Sequence, residues 1–195
     1  MLILSIRAAA FAAAACLLAA CFPTTGHPIR NTTGATNIDT VLAGKWKGVD
    51  EDGNDYIEIA PVDGKDHFRI YFRTEGEAEP RTDDAFDAWY GTVGDAQFLS
   101  VRPVAEMTPE DWRGYMVFQI FFEGADTLQL KAAEHPKLAA LIEAKKIEGE
   151  IVRPNSDALS VHITASAEAF EALIRAEGAD KIFTDESEAF RRQMR

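Results

Sequence analysis

Apolar and polar residues alternate with a period of two through the first two thirds of the region 39–195. In HFRIYFR, Phe68, Ile70 and Phe72 share one face, and His67, Arg69, Tyr71 and Arg73 share the other. The longest such segment, YMVFQIFFEG, puts Met116, Phe118, Ile120 and Phe122 on one face. Successive side chains of a strand point to opposite faces, so this pattern predicts a series of strands that each bury one face.

Turn sequences separate these segments and define how the strands connect. Asp52-Gly53, Gly94-Asp95 and Gly124-Ala125 each stand between two alternating runs, which is typical of β-hairpins. About nine strands in a row would leave two exposed edges as an open sheet, whereas a closed barrel leaves none. We therefore predict a mainly β domain over residues 39–195, an antiparallel up-and-down barrel of about 8–9 strands. A hydrophobic content of 47% is sufficient for its core.

Helical patterns interrupt the strands. TPEDW begins with Thr108 as a capping residue, and a helix inserted near residues 136–146 starts at Pro136. SAEAFEALIRAEG starts at Ser166 and ends at Gly178, and we expect the last segment, DESEAFRRQMR, to form a loose terminal helix. The fold class therefore includes an inserted helix and C-terminal helices.

The N-terminus has one cation, Arg7, followed by an apolar run that ends in Leu18-Ala19-Ala20-Cys21. Its length fits a secretory signal peptide better than a membrane span. These four residues resemble the lipobox of bacterial lipoproteins. The resemblance implies a signal peptide over residues 1–20, cleavage before Cys21, and fatty acylation (palmitate) of Cys21. Phe22 stands where aspartate would favour the inner membrane, which by the same resemblance implies the outer membrane, facing the periplasm.

Residues 21–38 are rich in proline, threonine and glycine, and they predict a flexible tether between the lipid and the barrel. Cys16 leaves with the signal peptide and Cys21 carries the lipid, so the mature domain has no free thiol for a disulfide or a thiolate site. The formal net charge of −12 repels phosphate backbones, which argues against nucleic acid as a partner. The predicted membrane contact is therefore the lipid anchor.

Two further resemblances concern the barrel. Gly44 and Trp46 form a Gly-x-Trp step at the first strand, as in lipocalins, and this implies a barrel that holds a small hydrophobic molecule. The second half of the chain, with Thr164-Ala165-Ser166 before a helix and Phe183 after it, resembles a group of uncharacterised bacterial envelope proteins. The segment from Gly94 to Val101 fits the same group, which brings no activity with it.

Recognisable catalytic and metal-binding patterns do not emerge from the sequence. Asp50, Asp52 and Asn54 start a calcium-loop register, which then fails at Asp55 and Pro61. The histidines at 27, 67, 135 and 162 lack the spacing of a zinc site. An acidic stretch with Asp83, Asp84 and Asp87 beside Trp89 and Tyr90 is the first place to look for paired carboxylates. We therefore predict no enzyme activity, no metal and no cofactor.

Large aromatic side chains carry the question of a ligand. The candidate lining of a cavity inside the barrel is Trp46, Phe68, Phe72, Phe118 and Phe122. A barrel of about eight strands either is filled by its side chains or leaves room for one small ligand. Two functions stay open: a lipid-anchored binding module for a small hydrophobic ligand, and an envelope module with a filled core that contacts another protein through Tyr71, Trp89 and the loops. The arginines at 191, 192 and 195 are candidates for contact with anionic headgroups.

Overall fold

The structure is a computed structural model that describes residues 22–30, 38–49, 55–76, 85–104, 112–153 and 159–193. The strands are β1 (Thr24–Thr25), β2 (Gly44–Gly48), β3 (Asp55–Pro61), β4 (Phe68–Thr74), β5 (Ala85–Val93), β6 (Ala96–Pro103), β7 (Tyr115–Glu123), β8 (Thr127–Ala132), β9 (Gly149–Val152), β10 (Ser160–Ile163) and β11 (Glu188–Arg192). The helices are α1 (Ile38–Leu42), α2 (His135–Glu143) and α3 (Ala167–Glu177), followed by a 3₁₀ turn (Ala179–Lys181).

Eight of these strands form a closed antiparallel barrel. The order around it is β2, β3, β4, β5, β6, β7, β8 and β11, and β11 pairs back onto β2. The predicted mainly β fold with a closed antiparallel barrel is therefore confirmed. The strand membership differs in one respect, because β9 and β10 lie outside the barrel and extend the sheet from β7 through β1.

The strand that closes the barrel comes from the segment predicted to be a terminal helix. That prediction is wrong, because Glu188–Arg192 forms β11 and pairs with β8 on one side and β2 on the other. Phe190 lies opposite Gly48 and Leu128 in these two ladders. Without β11, β2 and β8 would each have an unpaired edge. A strand between them pairs with the backbone N–H and C=O groups of both edges. This tertiary pairing outweighs the helix propensity of a short segment.

Two separate hydrophobic cores result from the alternation. The inward residues of the barrel strands form the first core, which includes Trp46, Phe68 and Ile120. Outward residues of β5, β6 and β7, namely Val93, Phe98 and Val117, form the second core with α2, α3 and β10. The inserted helix and the helix from Ser166 therefore cover one outer face of the barrel.

Both of these helices begin where the sequence indicates, and α3 also ends there. Pro136 lies in the first turn of α2, and the side chain of Ser166 accepts a hydrogen bond from the Ala169 amide at the start of α3. Gly178 ends α3 with a φ of 85°, a conformation that glycine adopts without strain. The predicted start of α3 at Ser166 and its end at Gly178 are confirmed.

Residues 22–30 pack against the barrel. Thr24 and Thr25 pair with β7 and β10, the Gly26 amide donates to the Ile163 carbonyl at 2.8 Å, and Ile29 is fully buried. The Ile29 amide donates to the Ser100 hydroxyl oxygen at 2.9 Å. The segment predicted as a tether, residues 21–38, therefore includes residues 22–30, which pair with strands and pack against the barrel in the structure.

Several predicted features lie outside the described residues. They are the signal peptide over residues 1–20, the acylation site Cys21, the rest of the tether at 31–37, the Asp52-Gly53 turn, and the TPEDW helix except for Trp112. The strands that flank the Asp52-Gly53 turn, β2 and β3, do pair antiparallel.

Acidification should destabilise the contact between the N-terminal segment and β10. His162 Nδ1 lies 2.8 Å from the Thr24 hydroxyl oxygen, and burial lowers the pKa of His162, with Arg113 lowering it further and Glu150 opposing both. A lowered pKa in the folded state means that the unfolded state binds the proton more readily. The free energy of unfolding should therefore fall as the pH drops from the ordinary histidine value of about 6.5 toward the lowered folded value.

Denaturant titrations between pH 7.5 and 5 check this for the natural chain and for His162→Gln, which keeps a hydrogen-bonding side chain. The variant should show a weaker loss of stability over this range. An identical pH dependence in both proteins would rule out His162 as the group responsible.

Candidate functional site

The barrel has two different ends. At one end, which we call the mouth, β3, β5 and β7 begin and β2, β4, β6 and β8 finish. At the other end, which we call the floor, lie α1 and the turns that connect β3 to β4, β5 to β6 and β7 to β8. Inward-facing side chains between them decide whether the barrel has room for a ligand.

Trp46 and Arg192 seal the floor. Trp46 is 0% exposed, and its Nε1 donates a 2.9 Å hydrogen bond to the Leu42 carbonyl of α1. The guanidinium of Arg192 stacks 4.2 Å above the indole ring. Arg192 also donates to the carbonyls of Val41 in α1, of Ala43 directly after α1, and of Ala125 in the β7–β8 turn. One cation thus ties the last strand, the first helix and a hairpin turn together.

The sequence did not indicate this role for Arg192. By sequence, the C-terminal arginines are candidates for contact with anionic headgroups or favourable charges at a helix end, whereas the Arg192 guanidinium stacks on Trp46 and binds backbone carbonyls of the floor. One feature of the sequence could have indicated this role: in EAFRR, a strand would place Arg192 on the same face as Phe190. Only the closure of the barrel by β11 shows that this face points inward.

Above the floor, side chains fill the interior. Phe68 is 4% exposed, and Ile59, Leu99, Ile120 and Leu128 are at most 2% exposed. Phe122 lies at this level too, with its ring 6.5 Å from that of Trp46. Three of the five predicted lining residues, Trp46, Phe68 and Phe122, therefore belong to the packed lower part of the barrel.

The mouth is apolar and only half covered. Phe118 is half-buried, and Phe72 is 52% exposed although it faces inward, with its ring 5.7 Å from that of Phe86. Other half-buried apolar residues pack against the interior here: Phe22, Ile57, Trp112, Leu130 and Phe190. The structure thus places Phe72 and Phe118 in one apolar surface at the mouth, separated from the filled lower part.

One polar pair faces the interior near the floor ends of β5 and β6, at the level of Leu99 and Ile120. The Tyr90 hydroxyl donates to the Gln97 side-chain oxygen at 3.1 Å, and both residues are half-buried. Burial raises the pKa of Tyr90, so its phenol is neutral at physiological pH. The hydrogen bond thus pairs two polar groups inside the lower part of the barrel.

The acidic stretch predicted as a place for paired carboxylates forms an ion pair on the outer barrel face. Asp87 is buried and accepts hydrogen bonds from Arg69 at 3.1 and 2.8 Å, and this raises the pKa of Arg69. His67 Nε2 lies 3.5 Å from the same carboxylate. Asp83 and Asp84 lie outside the described residues. Asp87 is thus held as the anionic partner of Arg69.

Trp89 lies beside this ion pair and has little free surface. It is 7% exposed, and its ring packs against His67 at a centroid distance of 5.0 Å and edge-to-face against Tyr115 at 5.3 Å. The guanidinium of Arg102 lies over the same ring. Trp89 therefore offers little area to a protein partner. This differs from the outer aromatic contact expected of it.

A surface depression of about 900 Å³ lies outside the barrel, between the end of α2 and the start of α3. Two of its polar side chains have partners within the fold. Ser166 caps α3, and Lys146 forms a 2.7 Å ion pair with Glu177. Its walls thus belong to the helix packing of the second core.

Within the described residues, no group of three or more His, Cys, Asp or Glu side chains is placed to hold a metal ion. In the same part of the chain, none of the helices has the length and apolar character needed to cross a membrane. The calcium-register residues Asp50, Asp52 and Asn54 are outside it.

No protein-family model matches the chain, and no curated protein or solved structure matches it significantly. We therefore infer function from the chain's own residues.

Proposed function

We propose that this protein is a lipid-anchored module of the bacterial cell envelope that binds a small hydrophobic molecule at the mouth of its barrel. The observation that carries this proposal is the apolar surface of the mouth, where Phe72 and Phe118 face inward and remain partly uncovered. Soluble domains usually cover such side chains or use them for binding. The anchor is the acyl chain expected on Cys21, on the outer membrane.

The size and chemistry of the site favour a ligand with a short apolar portion. Leu99 and Ile120 fill the barrel below the mouth, so a ligand enters only the upper part. Its polar end group then stays at the open mouth, in contact with water. A single-chain lipid such as a fatty acid combines these two features. Its binding needs no catalytic group.

Native mass spectrometry of residues 22–195, exported to a periplasm behind a cleavable leader and purified without detergent, tests the proposal. We expect a discrete additional mass that is lost on denaturation. Phe72→Asp places a charge in the mouth, and since Phe72 is half exposed the fold should tolerate it. This variant should lose the additional mass or bind octanoic acid roughly tenfold more weakly, as expected for about 1.4 kcal/mol of lost apolar contact.

Phe121→Asp is the matched control, because Phe121 is 39% exposed on the outer face of β7 and stacks with Lys131. It should bind as the natural chain does. A bare polypeptide mass for the natural chain, together with no uptake of the fatty acid, would contradict the proposal. Equal losses in both variants would show a general effect of the added charge.

The alternative function is an envelope module with a filled core that contacts another protein. The complete burial of Trp46 and Leu128 supports a filled lower barrel. Crosslinking of the anchored chain in intact cells, with a photoreactive residue in place of Phe121, is the measurement for this alternative. A single crosslinked protein species at that position, with no ligand mass, would favour it.

A further inference from the structure

Phe22, the first described residue, lies in the mouth of the barrel. Its ring packs edge-on against Phe118 with the centroids 5.5 Å apart, and it is part of the inner core of the barrel. Aromatic rings in this arrangement attract each other beyond the burial of their area. Phe22 directly follows Cys21, the residue that the lipobox resemblance marks for acylation.

The chain after Phe22 is fixed to the barrel. Thr24 pairs with Met116 of β7 and with His162 of β10, and its hydroxyl oxygen lies 2.8 Å from His162 Nδ1. Ile29 is buried and hydrogen-bonded to Ser100. From Phe22 onward, the chain that would connect the lipid to the barrel is therefore held against the barrel and is not a free linker.

Covalent geometry then limits where the lipid can leave the protein. Consecutive Cα atoms are about 3.8 Å apart, so a lipid carried by the residue before Phe22 is attached one Cα–Cα step from a residue that lies in the mouth. An acyl chain on Cys21 enters the bilayer from that point, and the mouth comes to the membrane with it. Two exposed apolar side chains, Phe72 (52%) and Val49 (48%), lie at the same end of the barrel. Their contact with acyl chains would remove them from water.

We propose that the anchored protein sits with its barrel mouth against the bilayer, so that the mouth exchanges its hydrophobic ligand directly with the membrane. The inference rests on the lipid anchor of the proposed function and names the source of the ligand, a lipid of the same leaflet. The partner surface is the apolar boundary of a bilayer. The acidic net charge of −12 makes uncharged headgroups the more favourable surface.

Site-specific fluorescence on the lipidated full chain in vesicles tests this orientation. The vesicles contain phosphatidylethanolamine and phosphatidylcholine, with a fraction of lipid that carries a nitroxide quencher near the headgroup. Cys16 and Cys21 are the only cysteines, so a new cysteine in the mature lipidated chain is its single free thiol. Phe72→Cys and Val49→Cys report on the mouth. Lys65→Cys and Asp95→Cys, in exposed turns of the floor, are the controls.

Quenching at positions 72 and 49 should exceed quenching at 65 and 95 by roughly threefold or more, because interfacial groups lie at the depth of the nitroxide. Equal quenching at both ends, or stronger quenching at the floor, would overturn the proposed orientation. Flotation of the chain with the vesicles is read separately. A chain that does not float would overturn the anchor and the orientation together, whereas loss of the ligand mass alone would leave the orientation standing.

Discussion

Replacing Trp46 by alanine should lower the free energy of unfolding by about 3–5 kcal/mol, the range measured when large aromatic residues are removed from cores. Trp46 is 0% exposed, and the substitution would leave a cavity between α1 and the filled part of the barrel. It would also leave the Leu42 carbonyl without its donor and the Arg192 guanidinium without the ring on which it stacks. Urea denaturation, followed by circular dichroism, measures the change.

Two comparison variants separate these causes. Trp46→Phe keeps most of the apolar bulk but cannot donate to Leu42, so it should cost about 1–2 kcal/mol. Trp112→Ala removes a half-buried tryptophan from the mouth and should cost less than Trp46→Ala. A loss below about 1 kcal/mol for Trp46→Ala would contradict the view that the packing of Trp46 at the floor stabilises the barrel core.

The alternation of residues predicted the faces of the strands but not the depth of each residue along the barrel axis. Phe68 and Phe72 share a face of β4, yet one is buried in the filled part and the other lies half exposed at the mouth. The period of two determines which face of the sheet a side chain lies on. Its position along the barrel axis depends on the tilt of the strands, which pair with partners far away in the sequence. The five aromatic residues predicted to line one cavity therefore come from three different levels of the barrel: the floor, the filled interior and the mouth.

Long-range pairing also explains what the sequence could not predict. β11 has a single apolar residue that faces inward, Phe190, and its position depends on the edges of β2 and β8. Residues 22–30 contain proline, threonine and glycine, as a linker does, and their order depends on contacts with β7, β10 and Ser100. In both places the stabilising partners are distant in the chain, so local composition indicates the wrong structure.

Replacing Gly114 by alanine should release residues 22–30 from the barrel. Gly114 has a φ of 76°, and an added Cβ would lie 2.0 Å from the Thr25 carbonyl oxygen, which is backbone and cannot rotate away. The N-terminal segment must move for the variant to fold. Gly124→Ala is the matched control, since its φ of 68° imposes the same strain of about 1–2 kcal/mol while no atom lies within 4 Å of the added Cβ.

Hydrogen exchange of two amides distinguishes the variants. The Gly26 amide donates to the Ile163 carbonyl, and the Ile29 amide donates to Ser100. Both should exchange at least roughly tenfold faster in Gly114→Ala than in Gly124→Ala, because only the first variant breaks the docking of the segment. Equal protection in the two variants would contradict the close contact of Gly114 with Thr25.

The same pair of variants links the docked segment to the orientation on the membrane. If the fixed path from Cys21 to the barrel holds the mouth against the bilayer, Gly114→Ala restores a flexible linker and lets the barrel rotate. The quenching difference between positions 72 and 65 should then shrink in Gly114→Ala and persist in Gly124→Ala. An unchanged difference in Gly114→Ala would mean that the exposed apolar residues of the mouth, and not the short path to the lipid, set the orientation.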